Sequence, residues 1–578
     1  MLELLEVTTP SLAYVCLGGF VVVFSMISFI VKEKFYINEV VLGTAFGIAM
    51  GPHGANAFDP RSWGSETEVT LEVMRVVLAT GLFAIGVEIP RSYMRDHVKG
   101  LSVMVVPTMA IGWGIVSGIL FGLFPRLGIF GCLAIAACLT PTDPIICAAI
   151  VGGKFAVKHV PLNLRQILSA ESAANDGLAY PFLSISIYLL IDATSREAVG
   201  HWFLVGWLYQ VICGTVLGAL IGIAFRHLMR VSHRKGYIDR ESYVSQYLAL
   251  AFLTIGIAST LGLDDLLAAF AAGNAISWDG DFNDRVEGDT FSSVLDLVLN
   301  CGAFIYIGAW LPFTSFNDTS LGLDVWRLVV LFLAILVLRR IPSIMFLYHW
   351  VDEINGWKEA LFTGHFGPMG VGAIFVSTLA LTRLPEPQDP PQSNQEYVAA
   401  VMHPIVSFVV LGSIITHGLS IPFFTMGRNF SRTLSIPVSS TFRSINGTPD
   451  WMNLTKAPKT NSGTATPLPQ NGPSATAAKA TDQTQNQNQN QRVVDVEIDV
   501  EAGLSGDYER AHVIDEETRP KEKRVSGTSS NTGSDCEKNQ VNGSSTPVKN
   551  AAPGSQDLST IVTEKKAVQF QDVDTGAE

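Results

Sequence analysis

Long apolar stretches recur through most of the chain and decide what it can fold into. Between Ser11 and Phe424 they reach about 20 residues each, enough for a helix to cross the ~30 Å hydrocarbon core of a bilayer. Charged residues make up only 16% of the sequence, and most of them lie outside these stretches. Alternating ten-residue strand patterns are absent, and a backbone in lipid must satisfy its own hydrogen bonds. The sequence therefore predicts an all-α polytopic membrane protein.

The apolar stretches are interpreted as about thirteen transmembrane helices. The predicted spans are residues 11–31, 37–53, 68–89, 100–124, 127–150, 165–191, 203–225, 242–261, 263–278, 293–314, 325–348, 359–382 and 398–424. The eighth and ninth spans are separated by little more than Gly262. The first stretch is interpreted as a true span rather than a signal peptide, because it is too long and acidic residues precede it.

Loop charge predicts how these spans are oriented. If the N-terminus is outside, the inner loops hold most lysines and arginines of the apolar region, including the cluster from Arg226 to Arg240. The outer loops then hold few. Cytoplasmic loops carry the excess of positive charge in membrane proteins. We therefore expect an extracellular N-terminus and a cytoplasmic C-terminal tail.

Composition divides the chain into three parts. Residues 1–425 form the predicted transmembrane domain. Residues 426–446 mix arginine with apolar side chains, which fits either a segment packed on the membrane domain or anionic lipid, or a solvated flank. Residues 447–578 are rich in Ser, Thr, Asn, Gln, Gly and Pro, a composition that predicts disorder. The net charge of −13 argues against a nucleic-acid partner.

Ionisable residues within the apolar stretches are the most informative feature of the sequence. They are Asp143, Glu171, Asp176, Asp264, Asp265, Arg339 and Arg340. At ~3 kcal/mol each on insertion scales, they would together cost roughly 20 kcal/mol if left unpaired in lipid. They must therefore face the bundle interior or a water-filled cavity. Because these acids outnumber the bases, a proton or a small cation is the simplest additional source of positive charge.

A proline pair predicts that the fifth span is broken. The run Cys138–Ile145 contains Pro141 and Pro144, and each proline disfavours helical geometry in the residue before it. A break in a membrane helix survives where it lines a cavity, because its freed backbone groups need partners. Asp143 lies within this break. A simple proline kink is the alternative, but it does not explain the carboxylate.

The run Glu171–Gly177 places polar residues on two adjacent faces of one helix. Glu171 and Asn175 are four residues apart, and so are Ser172 and Asp176. One face could meet a basic partner while the other presents a hydroxyl and a carboxylate to an ion. A structural polar seam between helices is the alternative.

A second interrupted span supports an internal symmetry. The run Gly364–Gly370 again places Gly and Pro in an apolar stretch, in the twelfth span. Paired broken helices in corresponding parts of two halves indicate a transporter's site at mid-membrane.

The combination of Thr140–Pro144 with Glu171–Gly177 resembles the monovalent cation/proton antiporter family, and within it the fungal plasma-membrane Na⁺/H⁺ antiporters. The resemblance covers the membrane domain and not the distal tail. It implies an inverted-repeat fold with two crossed broken helices, a homodimer, and a location in the plasma membrane. It also implies export of Na⁺, also of Li⁺, with K⁺ as a further candidate, in exchange for H⁺, in support of salt tolerance and pH and cation homeostasis. It implies no cofactor.

The resemblance also assigns roles to residues of the first break and of the polar helix. Asp176 matches the family's ion-binding carboxylate, and Asn175 its neighbour. Ser172, Thr142 and Asp143 match residues around the ion or the helix crossing. The oxygen ligands implied for the transported cation come from Asp176, Asp143, Ser172 and Thr142.

Two further roles follow from the same resemblance. Glu171 matches an acid that pairs with an arginine of the core, with Arg340 as the first candidate and Arg339 as the second. Asp264 and Asp265 match an accessory acidic pair of fungal members, expected to act in ion access or binding.

Other classes of protein remain as alternatives. A symporter of organic solutes with the same fold is the nearest alternative. An intramembrane aspartyl protease could use Asp143 and Asp176, but the run Leu261–Asp264 lacks the second glycine of its signature. A cation channel would need a filter-like loop, which does not appear. We therefore expect a secondary transporter rather than an enzyme.

Overall fold

The structure is a computed structural model that describes residues 7–90, 92–192, 194–286 and 291–433. Every regular element in these ranges is helical, which confirms the predicted all-α class. The predicted disordered tail and the second part of the predicted juxtamembrane segment lie outside the described residues, so the domain boundaries stay predictions.

The helices are numbered in chain order. The first half contains α1 (Thr9–Lys34), α2 (Glu39–Met50), α3 (Glu66–Glu88), α4 (Tyr93–Asp96), α5 (Val98–Leu123), α6 (Gly128–Leu139), α7 (Pro144–Val151), α8 (Lys154–His159), α9 (Leu162–Gly177) and α10 (Ala179–Ile191). The second half contains α11 (Ser195–His201), α12 (Gly214–Arg234), α13 (Arg240–Thr260), α14 (Asp265–Ile276), α15 (Asp281–Val286), α16 (Phe291–Trp310), α17 (Val325–Leu338), α18 (Ile341–Leu347), α19 (Trp357–His365), α20 (Val371–Leu381) and α21 (Asn394–Thr433). Short 3₁₀ turns lie at Pro60–Trp63, Pro125–Leu127, Phe313–Asn317 and Tyr348–Trp350, and a π-helical stretch, Trp202–Cys213, joins α11 to α12.

Ten helical stretches of the described chain are long and apolar enough to cross a membrane. Three shorter apolar helices, α2, α14 and α20, coincide with the predicted spans 37–53, 263–278 and 359–382. Each predicted span therefore overlaps a helix, and the chain is a multi-pass membrane protein.

The predicted boundary between the eighth and ninth spans is a tight turn. Helix α13 ends at Thr260 and α14 begins at Asp265. Between them Gly262 has a φ of +69°, in the left-handed region that favours glycine. Two helices therefore meet here, as the thirteen-span interpretation requires.

One group of helices, α2, α3, α12, α13, α14 and α16, packs closely through glycines, and we call it the scaffold group. A Cβ on Gly218 of α12 would lie 2.0 Å from the carbonyl oxygen of Ala268 in α14. A Cβ on Gly273 of α14 would lie 2.2 Å from the carbonyl oxygen of Phe83 in α3. Small residues let helix backbones approach this closely in membranes.

A second set of helices contains both breaks, and we call it the broken-helix group: α5 to α7, α9, α10 and α17 to α21. One break separates α6 from α7, and the other separates α19 from α20. The two breaks touch, because the backbone N–H of Asp143 donates a 2.8 Å hydrogen bond to the carbonyl oxygen of Pro368. The predicted pair of broken helices therefore crosses inside this group, where α20 and α9 also pack against α3 of the scaffold group.

Candidate functional site

A buried ion pair joins α9 to the start of α18. The two terminal nitrogens of Arg340 donate to Glu171, with Nη1–Oε1 at 2.7 Å and Nη2–Oε2 at 2.9 Å. The Nε of Arg340 donates to the carbonyl oxygen of Thr363 at 3.1 Å. Only 7% of the arginine side chain and 1% of the glutamate side chain are exposed. Arg340, the first candidate from the sequence, is therefore the partner of Glu171, and the pair is a well-formed buried fork.

Asn175 links this ion pair to the first break. Its Nδ2 donates to Glu171 Oε1 and to Thr142 Oγ1, both at 2.7 Å. Its Oδ1 accepts the backbone N–H of Thr142 at 3.1 Å. Both polar atoms of the Asn175 side chain are thus used within the protein, and Asn175 holds Thr142 in place. The predicted roles of these two residues as ion ligands stay predictions.

Asp143 lies at the N-termini of both half-helices that follow the breaks. Its Oδ1 accepts the backbone N–H of Ile146 in the first turn of α7 at 2.8 Å. Its Oδ2 accepts the backbone N–H of Gly372 in the first turn of α20 at 3.3 Å. Helix N-termini carry partial positive charge and free N–H groups. The carboxylate of Asp143 therefore complements both of these ends.

Arg339 has the opposite role at the helix ends that precede the breaks. Its Nη1 donates to three consecutive carbonyl oxygens at the end of α6, those of Leu139 at 2.8 Å, Thr140 at 3.0 Å and Pro141 at 3.1 Å. Its Nη2 donates to the carbonyl oxygen of Gly367 after α19. Arg339 was the second candidate partner of Glu171, and the structure instead directs it to these negative helix ends. This role of Arg339 was not predicted from the sequence.

Asp176 is buried in the last turn of α9 and has no hydrogen-bond partner on either carboxylate oxygen among the residues described. Gly372 of α20 lies directly against it, since a Cβ at Gly372 would be 2.5 Å from each oxygen. The carboxylate lines a cavity of about 110 Å³. Glu171 and Asp143 are satisfied by the protein, so Asp176 differs from both in being free to bind a ligand.

Ser172 lies one turn before Asp176 but does not line this cavity. Its hydroxyl donates to the carbonyl oxygen of Ser169 at 3.2 Å. Its predicted role as an ion ligand stays a prediction, and a rotation of this hydroxyl or of the helix would be required.

The accessory acidic pair lines the same cavity as Asp176, and its two members are in different states. Asp265 forms an ion pair with Arg75 of α3, with Nε and Oδ2 2.7 Å apart. The Oδ1 of Asp264 caps α14 by accepting the backbone N–H of Leu267 at 2.9 Å. Sequence reasoning missed Arg75, although it lies inside the predicted span 68–89 and meets the same criterion of an intramembrane charge.

A second cavity approaches the crossing from the other end of the spans. It measures about 410 Å³ and is lined by Lys32 in the last turn of α1, by Gly152 after α7 and by Pro144, which is adjacent to Asp143. These first two positions belong to loops predicted to lie inside. The cavity at Asp176 is instead lined by Gly262 and Arg383, which belong to loops predicted to lie outside. The crossing therefore lies between two cavities at opposite ends of the spans.

Comparison with known proteins identifies the family. The family model described as "Sodium/hydrogen exchanger, transmembrane" matches residues 20–427. A probable Na⁺/H⁺ antiporter of Schizosaccharomyces pombe is 44% identical over 446 residues, covering 75% of this chain and 58% of the relative. A Na⁺/H⁺ antiporter of Saccharomyces cerevisiae is 42% identical over 457 residues, covering 77% of this chain and 46% of the relative. The chain thus spans about half the length of these curated relatives.

A shorter relative and a solved structure agree with this family assignment. Another Na⁺/H⁺ antiporter of Schizosaccharomyces pombe is 37% identical over 424 residues, covering 72% of this chain and 90% of the relative. The sodium proton antiporter MjNhaP1 of Methanocaldococcus jannaschii at pH 8 has a similar fold, with a TM-score of 0.52, 17% identity, and coverage of 72% of this chain and 98% of that one. The predicted antiporter fold is therefore confirmed, and the chain belongs to the sodium/hydrogen exchanger family of membrane transporters, which are not enzymes.

Proposed function

We propose that the chain is a secondary antiporter that exchanges Na⁺ for H⁺ and that Asp176 is the site both ions share. The observation that carries this proposal is the state of Asp176, whose two buried carboxylate oxygens have no partner in the described residues and line a cavity. The neighbouring Glu171 is paired with Arg340 through two hydrogen bonds, so its carboxylate is not free to bind an ion. The names of the relatives, all Na⁺/H⁺ antiporters, support the same function.

Exchange follows from competition at one carboxylate. Burial disfavours a charged carboxylate unless positive charge is supplied to it, and a proton or a bound cation each supplies that charge. The two ions therefore displace one another. Oxygen ligands such as carboxylates, hydroxyls and carbonyls suit hard cations, which favours Na⁺ and Li⁺. When Asp176 is neutralised by either ion, the broken-helix group can move past the scaffold group at a lower electrostatic cost.

The cellular setting is part of the proposal. The distribution of loop charge supports an extracellular N-terminus and a cytoplasmic tail. The resemblance of the Thr140–Pro144 and Glu171–Gly177 runs to fungal antiporters extends the proposal to a homodimer in the plasma membrane. In this proposal it exports Na⁺ and Li⁺, with K⁺ as a further candidate, in salt tolerance and in pH and cation homeostasis. No cofactor is part of the proposed cycle.

Transport by purified protein tests this function. The full chain is reconstituted in liposomes with a pH gradient, and Na⁺, Li⁺ or K⁺ is added while the internal pH is followed. The wild-type protein should dissipate the gradient when Na⁺ is added, with no organic solute present, and Asp176→Asn should not. Asp352→Asn, which changes an exposed carboxylate paired with Lys99, should behave as wild type. Exchange retained by Asp176→Asn refutes the assignment, and a requirement for an organic solute favours the symporter alternative.

A further inference from the structure

The π-helical stretch between α11 and α12 holds Gln210 against the turn that joins α13 to α14. The backbone carbonyl of Gln210 accepts the N–H of Asp264 at 3.2 Å. The neighbouring Tyr209 donates its hydroxyl to the carbonyl oxygen of Leu261 at 2.6 Å. π-Helical turns are rare in helices and are found frequently at functional sites. Here the widened turn fixes one polar side chain at the edge of the cavity that contains Asp176.

The contacts of the Gln210 amide define which way it points. Its Nε2 donates to the hydroxyl oxygen of Tyr180 at 2.7 Å and lies 3.5 Å from the carbonyl oxygen of Gly262. A backbone carbonyl can only accept, so the amide nitrogen must face Gly262. The Oε1 of Gln210 consequently points elsewhere, and it has no hydrogen-bond partner among the described residues. Only 7% of Gln210 is exposed, so this oxygen is a buried acceptor without a donor.

Asp264 provides a second buried oxygen in the same state. While its Oδ1 caps α14, its Oδ2 has no partner in the described part of the chain, and 6% of the residue is exposed. Asp264 and Gln210 line the same cavity. A buried polar atom without a partner is destabilising, and a charged one more so. Two unpaired oxygens on adjacent elements therefore belong to the lining of one cavity, where a bound cation would supply the positive charge they lack.

We propose that Asp264 Oδ2 and Gln210 Oε1 form a second binding site for a small monovalent cation, on the scaffold group and separate from Asp176. The inference rests on the proposed function, because it places a further site on the same ion path. Both ligands are hard oxygen atoms, which suit Na⁺ and Li⁺. The cavity holds several water-sized volumes, so waters can complete the coordination.

Arg75 explains why Asp264 rather than Asp265 would bind the cation. The guanidinium of Arg75 is 2.7 Å from Asp265 and also contacts Glu72. Arg75 and Asp265 both line the cavity. Asp265 is therefore already neutralised. The cavity wall thus presents one free carboxylate on the scaffold group and one on the broken-helix group, Asp264 and Asp176. A cation held at Asp264 would be positioned to pass to Asp176.

Cation binding to the full-length protein in detergent tests the second site. Na⁺ and Li⁺ are titrated calorimetrically against Asp176→Asn, in which the proposed exchange site is removed. This variant should still bind Na⁺. Adding Gln210→Met, which keeps the side-chain length but removes the ligand oxygen, should weaken the remaining binding about tenfold. Adding Gln210→Glu instead, which keeps an oxygen and adds charge, should strengthen it.

The two substitutions at Gln210 separate a ligand role from a structural one. Both remove the amide that donates to Tyr180, so a purely structural residue would give equal weakening with Met and with Glu, and that result overturns the proposal. The absence of any Na⁺ binding by Asp176→Asn overturns it as well. Gln395→Met is the matched control, because Gln395 also donates its amide to a backbone carbonyl, that of Leu190 at 2.8 Å, but lines no part of this cavity. Wild-type protein that binds Na⁺ in this way but does not exchange it for H⁺ in liposomes would refute the proposed function alone.

Discussion

Replacing Glu171 by Gln should destabilise the membrane domain by about 3–5 kcal/mol, because the change leaves the buried charge of Arg340 without its partner. This loss of stability is larger than that for an exposed ion pair, since two hydrogen bonds of 2.7 and 2.9 Å join side chains that are only 7% and 1% exposed. Unfolding entropy of about 2.1 cal/mol/K per residue over roughly 420 residues gives about 0.9 kcal/mol/K. The apparent melting temperature in detergent should therefore fall by roughly 3–6 °C.

A second variant and a control make this prediction specific. Glu171→Gln combined with Arg340→Gln removes both charges and should melt above Glu171→Gln alone, because no unpaired charge is left buried. Asp352→Asn breaks the exposed Lys99–Asp352 pair and should cost only about 0.2–1 kcal/mol. The melting temperatures are followed by size-exclusion chromatography after heating. Equal stability of Glu171→Gln and wild type, or additive losses in the double variant, would refute the reasoning.

Three further predictions concern transport in liposomes. Gly372→Ala should abolish exchange, because its Cβ would lie 2.5 Å from both oxygens of Asp176. Gly81→Ala, whose Cβ meets only a side-chain carbon at 3.9 Å, should be tolerated. Equal activity of the two variants would contradict the packing at Asp176. Arg339→Gln should lower the rate and the melting temperature, and Arg339→Lys should restore part of both, because a charge at the ends of α6 and α19 is kept; a fully active Arg339→Gln would exclude this role. Lowering the pH should raise the KM for Na⁺, by up to about tenfold per pH unit for one competing proton, and a KM independent of pH would exclude competition.

Features of the site that depend on local chemistry could be predicted from the sequence. The first break follows from the two prolines, since backbone geometry near proline is set within a few residues. The charges within spans required partners or a cavity, because lipid offers neither. Both expectations agree with the contacts of Asp143 and with the pairing of Glu171.

The partners themselves could not be decided in the same way. Arg339 and Arg340 are neighbours in sequence, and both could have met Glu171. Both lie in the junction between α17, which ends at Leu338, and α18, which begins at Ile341, where no helical periodicity fixes the direction of a side chain. Which one meets Glu171 depends on how α17 and α18 pack, and that is determined by contacts distant in sequence.

Residues that the sequence analysis overlooked have less distinctive surroundings. Gln210 lies in an apolar span where one neutral amide is common, and the π-helical turn that positions it has no simple sequence pattern. The different states of Asp264 and Asp265 depend on Arg75, which is almost 190 positions earlier in the chain. Such pairings become visible only when the helices are placed side by side.

Proton release on cation binding tests the central claim most directly. Na⁺ is added to purified protein in weakly buffered detergent solution, and the pH of the solution is recorded. If Na⁺ and H⁺ compete for Asp176, wild-type protein should release protons in a saturable manner, and Asp176→Asn should release none from this site. Saturable Na⁺ binding without proton release by the wild type, or equal release by Asp176→Asn, would contradict the account.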